Sequence, residues 1–251
     1  MTRCAWVTGA SSGIGRAVVL QLARQGWLVA ASARSHEDLR RLADEGKDAP
    51  GRIEPWPLDV TDREATAGAL AGIETTHGPP DLVILNAGTH KPMGTSNFDP
   101  AVVRDLLEVN LMGVANGLAA VLPGFLHRRR GQIMLVASLA GYRGLPTAAA
   151  YGASKAGVIN MAEALRPELR RAGVTLTLVN PGFVKTPLTD LNEFDMPFLM
   201  DVDAAAKRIV DAIGHSGFEV VFPRRFAWLL KVARCLPYAL YFRIVGRITQ
   251  Q

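Results

Sequence analysis

The stretch that decides the fold is CAWVTGASSGIGRAVVLQLARQG, residues 4–26. It begins as a short apolar run, turns at Gly9, Gly13 and Gly15, and continues as IGRAVVLQLARQG, whose apolar residues recur at helical spacing until Gly26. Strand, glycine turn and helix in that order open a βαβ unit. The glycines allow a tight turn and a close approach of another backbone. The helix then offers free N–H groups and the positive end of its dipole, which suit a pyrophosphate. Glycines there could serve strand–helix packing alone, but their place after the first buried strand and before a helix favours a dinucleotide.

Outward from this unit the pattern repeats. WLVAASA, RIEPWPL, DLVILN, QIMLVAS, VTLTLVN and FEVVF read as further strands, with RIEPWPL weakened by its two prolines. Helical segments lie between them, including HEDLRRLADEG, DREATAGALAGIETTHG and DAAAKRIVDAIG. DPAVVRDLLEVNLMGVANGLAAVLPGFLHRRRG predicts one long helix capped by Asp99, with Pro100 at its first position and Gly131 as breaker. Seven apolar strands alternating with helices predict an α/β fold, a single Rossmann-type doubly wound domain. Its sheet would be seven-stranded and parallel, with helices on both faces.

Composition bounds the rest. The chain has 251 residues, 49% apolar and 20% charged, as expected of one soluble globular core. Its two cysteines, Cys4 and Cys235, lie near opposite ends, and the five histidines show no ligand spacing, so no disulfide framework and no metal site are expected. MTRCAWVTGASSGIG leaves no room for the apolar region of a signal peptide, and the expected compartment is the cytoplasm. Of 28 Lys and Arg against 23 Asp and Glu, six basic residues and no acid fall after residue 223. The body without them is close to neutral, and no nucleic-acid partner is expected.

The glycine spacing is GxxxGxG, and it occurs with NAG at 86–88, Ser138 and YGASK at 151–155. On these motifs the sequence resembles the short-chain dehydrogenase/reductase family over residues 3–223. The resemblance implies a cofactor loop of Thr8, Gly9, Ser11, Ser12, Gly13, Ile14 and Gly15. It implies adenine contacts from Asp59 and Val60, and a turn of Asn86, Ala87 and Gly88 beside the adenine ribose. Pro181, Gly182, Val184 and Thr186 would seat the nicotinamide. Asn110 would hold the catalytic lysine through a water, with Ser138, Tyr151 and Lys155 as the catalytic trio.

Tyr151 and Lys155 share a helix face at four-residue spacing, and a nearby ammonium lowers a phenol pKa. Tyr151 would then give a proton to a carbonyl oxygen in reduction and take it back in oxidation, with Lys155 also holding ribose hydroxyls and Ser138 steadying the oxygen. The second strand ends in SARS rather than in an acid. Arg34 offers a cationic fork to a 2′-phosphate with Ser35 as second donor, so NADP(H) is the expected cofactor, although Ser12 stands where a basic residue would strengthen that reading.

The expected substrate is a hydrophobic ketone, aldehyde or secondary alcohol. Leu139, Leu145, Phe194, Met196, Phe198, Leu199 and Met200 would form an apolar pocket with an adaptable lid. A homodimer or homotetramer through the long helices around Asn110 and Tyr151 is implied by the family.

The chain divides into a catalytic unit, 1–222, and a basic amphipathic extension, 223–251. In the extension Phe226, Leu229, Leu230 and Ala233 share one helical face, and Leu240, Ile244, Val245 and Ile248 another beyond Pro237. Two readings stand for it: an interfacial anchor touching a membrane surface through 224–249, and a helix pair packed on the body or on a second subunit. For the whole chain the alternative to an enzyme is a non-catalytic, membrane-associated dinucleotide-binding regulator. Such a regulator has no need of Asn110, Ser138, Tyr151 and Lys155 together.

Overall fold

The computed structural model describes residues 2–191 and 196–248, with the backbone alone at 247 and 248. Phe194, expected in the substrate pocket, and the last residues of the extension lie outside the described residues or their side chains. The strands are β1 (Cys4–Thr8), β2 (Leu28–Ala33), β3 (Arg52–Pro57), β4 (Leu82–Leu85), β5 (Gln132–Val136), β6 (Thr175–Pro181) and β7 (Glu219–Phe222). They form one seven-stranded parallel sheet in the order β3-β2-β1-β4-β5-β6-β7. The prolines of RIEPWPL are tolerated because β3 is an edge strand, where a missing N–H costs no ladder bond on the open side.

The pleat sends alternate β1 side chains to opposite faces. Trp6 joins the cluster built with α3 (Arg63–His77), α5 (Gly113–Arg128) and α6 (Ala149–Arg171). Ala5 and Val7 join the cluster built with α1 (Gly13–Arg24), α2 (His36–Glu45) and α7 (Val202–Val210). Each fully buried Val, Leu or Ile in these layers contributes about 1.5–3 kcal/mol relative to exposure. The strand order reverses between β1 and β4, so the loops after these two strands diverge and leave a crevice at their carboxyl ends, where ligands of open α/β sheets bind.

The long helix of residues 100–128 begins as expected. The Asp99 carboxylate accepts from the Ala101 N–H at 2.8 Å, with Pro100 in the first turn of α4 (Pro100–Leu107). It is not regular throughout: a π-helical turn, Glu108–Met112, separates α4 from α5. It ends at Arg129, which takes the left-handed conformation (φ 52°) before the expected breaker Gly131 is reached. The whole segment is long and apolar enough to cross a bilayer by composition. Val114, Leu118, Val121 and Phe125 are instead buried against the sheet, as in a core helix.

After β7 the chain forms α8 (Arg224–Cys235) and α9 (Tyr238–Ile248). Ala227 is buried in the core, with Phe226 and Leu230 packed beside it. Leu229, expected on that inner face, is exposed. The Lys231 ammonium bonds Glu219 on β7, so one basic residue of the extension is matched within the fold. Tyr241 is buried and its hydroxyl donates to the Gly144 carbonyl.

Candidate active site

Three segments far apart in sequence meet at the carboxyl ends of β1, β4 and β5. The turn after β1 is shaped by close approach. Gly9 has φ of 67°, and a Cβ there would lie 2.7 Å from the Ala87 Cα. A Cβ on Gly15 would lie 2.2 Å from the Gly9 carbonyl oxygen and 2.4 Å from the Asn86 amide nitrogen. No side chain larger than hydrogen fits there without moving backbone. Thr8 is buried, and its hydroxyl accepts from the N–H groups of Asn86 (3.1 Å) and Ala87 (3.2 Å). The Asn86 amide donates back to the carbonyls of Thr8 and Gly9 at 3.0 and 3.2 Å. Thr8 and Asn86 therefore clamp the β1 and β4 turns together, the Thr8 hydroxyl as acceptor and the Asn86 NH2 group as donor.

Exposed Ser12 is the N-cap of α1 and makes no side-chain cap bond, and the first turn carries no acid. The helix start thus keeps its N–H groups and its positive dipole end for an anion. Ser11 and Ile14 are partly buried, Ile14 against the core. Thr186 stands across the cleft, its methyl 3.2 Å from where a Gly13 Cβ would be. A loop that side chains would fill, facing an uncapped helix start, fits a dinucleotide pyrophosphate.

At the end of β2, Arg34 is exposed, and Ser35 caps α2 by accepting from the Asp38 N–H at 3.2 Å. Ser35 keeps its hydroxyl proton for a ligand, although its acceptor side is used. The Asp59 carboxyl is held below its ordinary value by hydrogen bonds from the Thr61 backbone and hydroxyl, and by the charge of Arg34. Two sequence expectations change in kind here. Val60 turns its side chain into the core, 2.7 Å from where a Gly113 Cβ would be, and Val184 is buried in the opposite core cluster. Both can offer a ligand only backbone. Pro181 ends β6, and the Gly182 N–H donates to the Phe222 carbonyl at 2.7 Å.

The Ser138, Tyr151 and Lys155 side chains gather on the far side of the crevice. Buried Ser138 caps a short 3-10 turn, accepting from the Ala140 N–H at 3.1 Å, and its hydroxyl lies 3.4 Å from the Pro181 carbonyl oxygen. Lys155 is buried, its ammonium donates to the Val136 carbonyl at 3.0 Å, and it lies 5.9 Å from the centre of the Tyr151 ring. Burial pushes the Lys155 ammonium down to about 8. The expectation that Lys155 lowers the Tyr151 pKa is not met: burial pushes the phenol above its ordinary value, and only the Ser138 hydrogen bond pulls it back in part. Desolvation of the phenolate outweighs an ammonium placed over the ring rather than at the oxygen.

Asn110, fully buried in the π-helical turn, does not bond Lys155 directly. Its amide exchanges hydrogen bonds with the Thr89 backbone (2.7 and 2.9 Å) and donates to the Ser154 hydroxyl at 3.0 Å. Ser154 in turn donates to the Tyr151 carbonyl at 2.7 Å. Gly88 sits between these groups, a Cβ there meeting Asn110 at 3.2 Å and the Lys155 nitrogen at 3.3 Å. The turn after β4 is thereby fastened to the helix of Tyr151 and Lys155.

A family model described as short chain dehydrogenase matches residues 3–195. An uncharacterised oxidoreductase of Myxococcus xanthus is 42% identical over 246 residues, covering 98% of this chain and 97% of that protein. The chain belongs to the short-chain dehydrogenase family. It is also 35% identical over 184 residues to a 3-oxoacyl acyl-carrier-protein reductase of Thermotoga maritima, which covers 73% of this chain and 75% of that one. Among solved structures, a variant of the actinorhodin polyketide ketoreductase with NADPH superposes with TM-score 0.80 at 29% identity, covering 88% and 95% of the two chains. As a member of this family of oxidoreductases the chain shares its fold and its nucleotide crevice.

Within this short-chain dehydrogenase, the substrate side differs most from expectation. Leu139 is buried in the core rather than lining a cleft, and Met200 packs on the opposite core cluster, its backbone bonded to Phe183 and Lys185. Phe198 and Leu199 are exposed, Phe198 with φ of 60°. Leu145 and Met196 are partly buried. Two groups were not legible beforehand. His90 lies edge-on to Tyr151 with ring centres 4.7 Å apart, and Phe226 of α8 stacks on Phe183 at 5.7 Å and meets Phe198 at 6.0 Å. His90 follows the NAG turn closely enough for its neighbourhood to be guessed, whereas no local signal points from Phe226 to Phe183.

Proposed function

We propose that this chain is an NADP(H)-dependent reductase of hydrophobic ketones or aldehydes, able to run in reverse on secondary alcohols, with Tyr151 as general acid and base. The observation that carries the reading is the buried Lys155 ammonium 5.9 Å from the centre of the Tyr151 ring, with Ser138 near enough to the phenol to offset part of the rise that burial causes. The loop of Gly9, Ser11, Ser12, Gly13, Ile14 and Gly15 would hold the pyrophosphate. Asp59, the Val60 backbone, Asn86, Ala87 and Gly88 would border the adenosine, and Pro181, Gly182, the Val184 backbone and Thr186 the nicotinamide. Arg34 and the Ser35 hydroxyl would take a 2′-phosphate. When bound, the nicotinamide supplies the hydride for reduction.

The residues of the chain do the proton work. A phenol raised by burial is loaded with its proton at neutral pH, and Tyr151 gives that proton to the carbonyl oxygen as charge grows there. The Ser138 hydroxyl donates to the same oxygen, and the Lys155 charge stabilises the phenolate left behind. Asn110 acts through position, holding the Thr89 turn against the Tyr151 helix. The named activities of the Thermotoga reductase and of the actinorhodin ketoreductase support a carbonyl on an acyl chain as substrate. In this reading residues 1–222 carry the chemistry, residues 223–251 serve the outer surface, and the helices of residues 100–128 and 149–171 pair protomers into a dimer or tetramer.

The test is NADPH oxidation by the purified protein over a panel of β-keto thioesters, aromatic ketones and aldehydes, with Tyr151→Phe in parallel. Turnover on at least one carbonyl, reduced about 10²–10⁴-fold in the variant while NADPH still binds, is the expected result. Tight NADPH binding with no turnover on any member would hand the chain to the non-catalytic reading.

A further inference from the structure

The α8–α9 pair has a docked inner face and an apolar outer face that none of the described residues covers. On the inner side Phe226, Ala227 and Leu230 pack on the body. Arg143 reaches over to bond the carbonyls of Ala233, Arg234 (3.2 Å) and Leu236 (2.8 Å), and its guanidinium lies 3.8 Å over the Tyr241 ring. These contacts hold the two helices in a defined orientation, so the outer surface is a built surface and not a loose tail.

On that surface Trp228 is 69% exposed, Tyr238 73% and Phe242 62%, with Leu229, Val232 and Ile244 also exposed. Arg225, Trp228, Leu229 and Val232 fall three, four and seven positions apart, a single stripe on α8. Tyr238 and Phe242 stack at 5.7 Å one turn apart on α9. The patch continues to exposed Phe198 and Leu199 through the contact between Phe198 and Phe226. Contiguous exposure of this kind marks an interaction site.

Charge selects the partner. The two helices carry no acid, Lys231 is matched by Glu219, and Arg224 lines a cavity shared with Asp211 and Glu219. Arg225, Arg234 and Arg243 are exposed and join no ion pair among the described residues. A second copy brought face to face would set one basic, acid-free face against another. An anionic surface with an apolar interior complements both the charge and the aromatic stripe. We propose that the outer face of α8 and α9 docks the protein on an anionic lipid surface, with Trp228, Leu229, Val232 and Phe242 at the boundary between headgroups and acyl chains and Arg225 and Arg243 at the phosphates.

The test uses the full chain with vesicles of phosphatidylcholine alone and with one third phosphatidylglycerol. Trp6 and Trp27 are buried and Trp56 partly so, which makes Trp228 the tryptophan most able to report contact. The expected result is cosedimentation with the anionic vesicles, a blue shift of tryptophan emission on binding, and loss of both as salt rises. Arg225→Glu with Arg243→Glu should weaken binding by roughly fivefold for each basic residue removed, at unchanged thermal unfolding. Trp228→Ser with Phe242→Ser should abolish it. Failure to bind either vesicle overturns the proposal. So does a concentration-dependent dimer that the serine pair dissolves, since a second copy would then cover the face.

Discussion

The end of this cleft proposed for the cofactor and the end proposed for the substrate are built from different kinds of contact. At the cofactor end, β1, its glycine turn and α1 are contiguous in sequence, and one long-range clamp, Thr8 with Asn86, completes the shape. At the end proposed for the substrate, Phe183, Phe198 and Phe226 converge from three separate segments, and Arg143 fastens the loop after β5 to α8. The first end depends on tightness, as at Gly15, where a Cβ would strike the Gly9 carbonyl. The second depends on side-chain packing that can change by repacking. In the proposed reading, binding of the nucleotide would then be constrained by backbone, and choice of the substrate by replaceable side chains.

That contrast can be broken or sharpened by experiment. Among changes that separate the two ends, the largest effect is expected at Arg34. Arg34→Asp should lower NADPH affinity by about 100-fold while NADH binding changes little, a loss of roughly 3 kcal/mol consistent with a charge-assisted contact removed and a like charge added. Equal losses for both nucleotides, read by fluorescence titration, would mean that Arg34 does not read the phosphate.

Next comes Phe226→Ala. Truncating a partly buried aromatic that packs on Phe183 and Phe198 should raise KM for a carbonyl substrate by about tenfold, and leave the NADPH dissociation constant within about twofold. A mutation of α8 that instead weakened NADPH tenfold would erase the separation of the two ends.

The smallest effect is in the pH dependence of reduction. Lys155 is lowered from 10.5 to about 8, so its charge is present below that value and lost as pH rises through it. Tyr151 is shifted the other way and keeps its proton across the same window. The turnover number should therefore fall severalfold between about pH 7 and pH 9. The limb near pH 8 should flatten in Lys155→Met; a slope that survives that change would assign it to another group.

Much was legible because it is local. A strand, a glycine turn and a helix follow from period and composition, and repeating them along the chain specifies the parallel sheet. The glycine spacing, Ser138 and the four-residue step from Tyr151 to Lys155 name the candidate site before any coordinate is known. The tertiary structure decided what depends on solvent exclusion and on distant neighbours. Helical spacing brings Lys155 near Tyr151, but only burial determines that the phenol rises and the ammonium falls. The pattern predicts a long helix around Asn110, but its π-helical turn comes with bonds to Thr89 and Ser154, which no local preference encodes. Amphipathic spacing in the last residues left packing and membrane contact equally open. The fold places Phe226, Ala227 and Leu230 inside and Trp228, Leu229 and Phe242 outside, because only the shape of the body decides which apolar stripe has something to pack against.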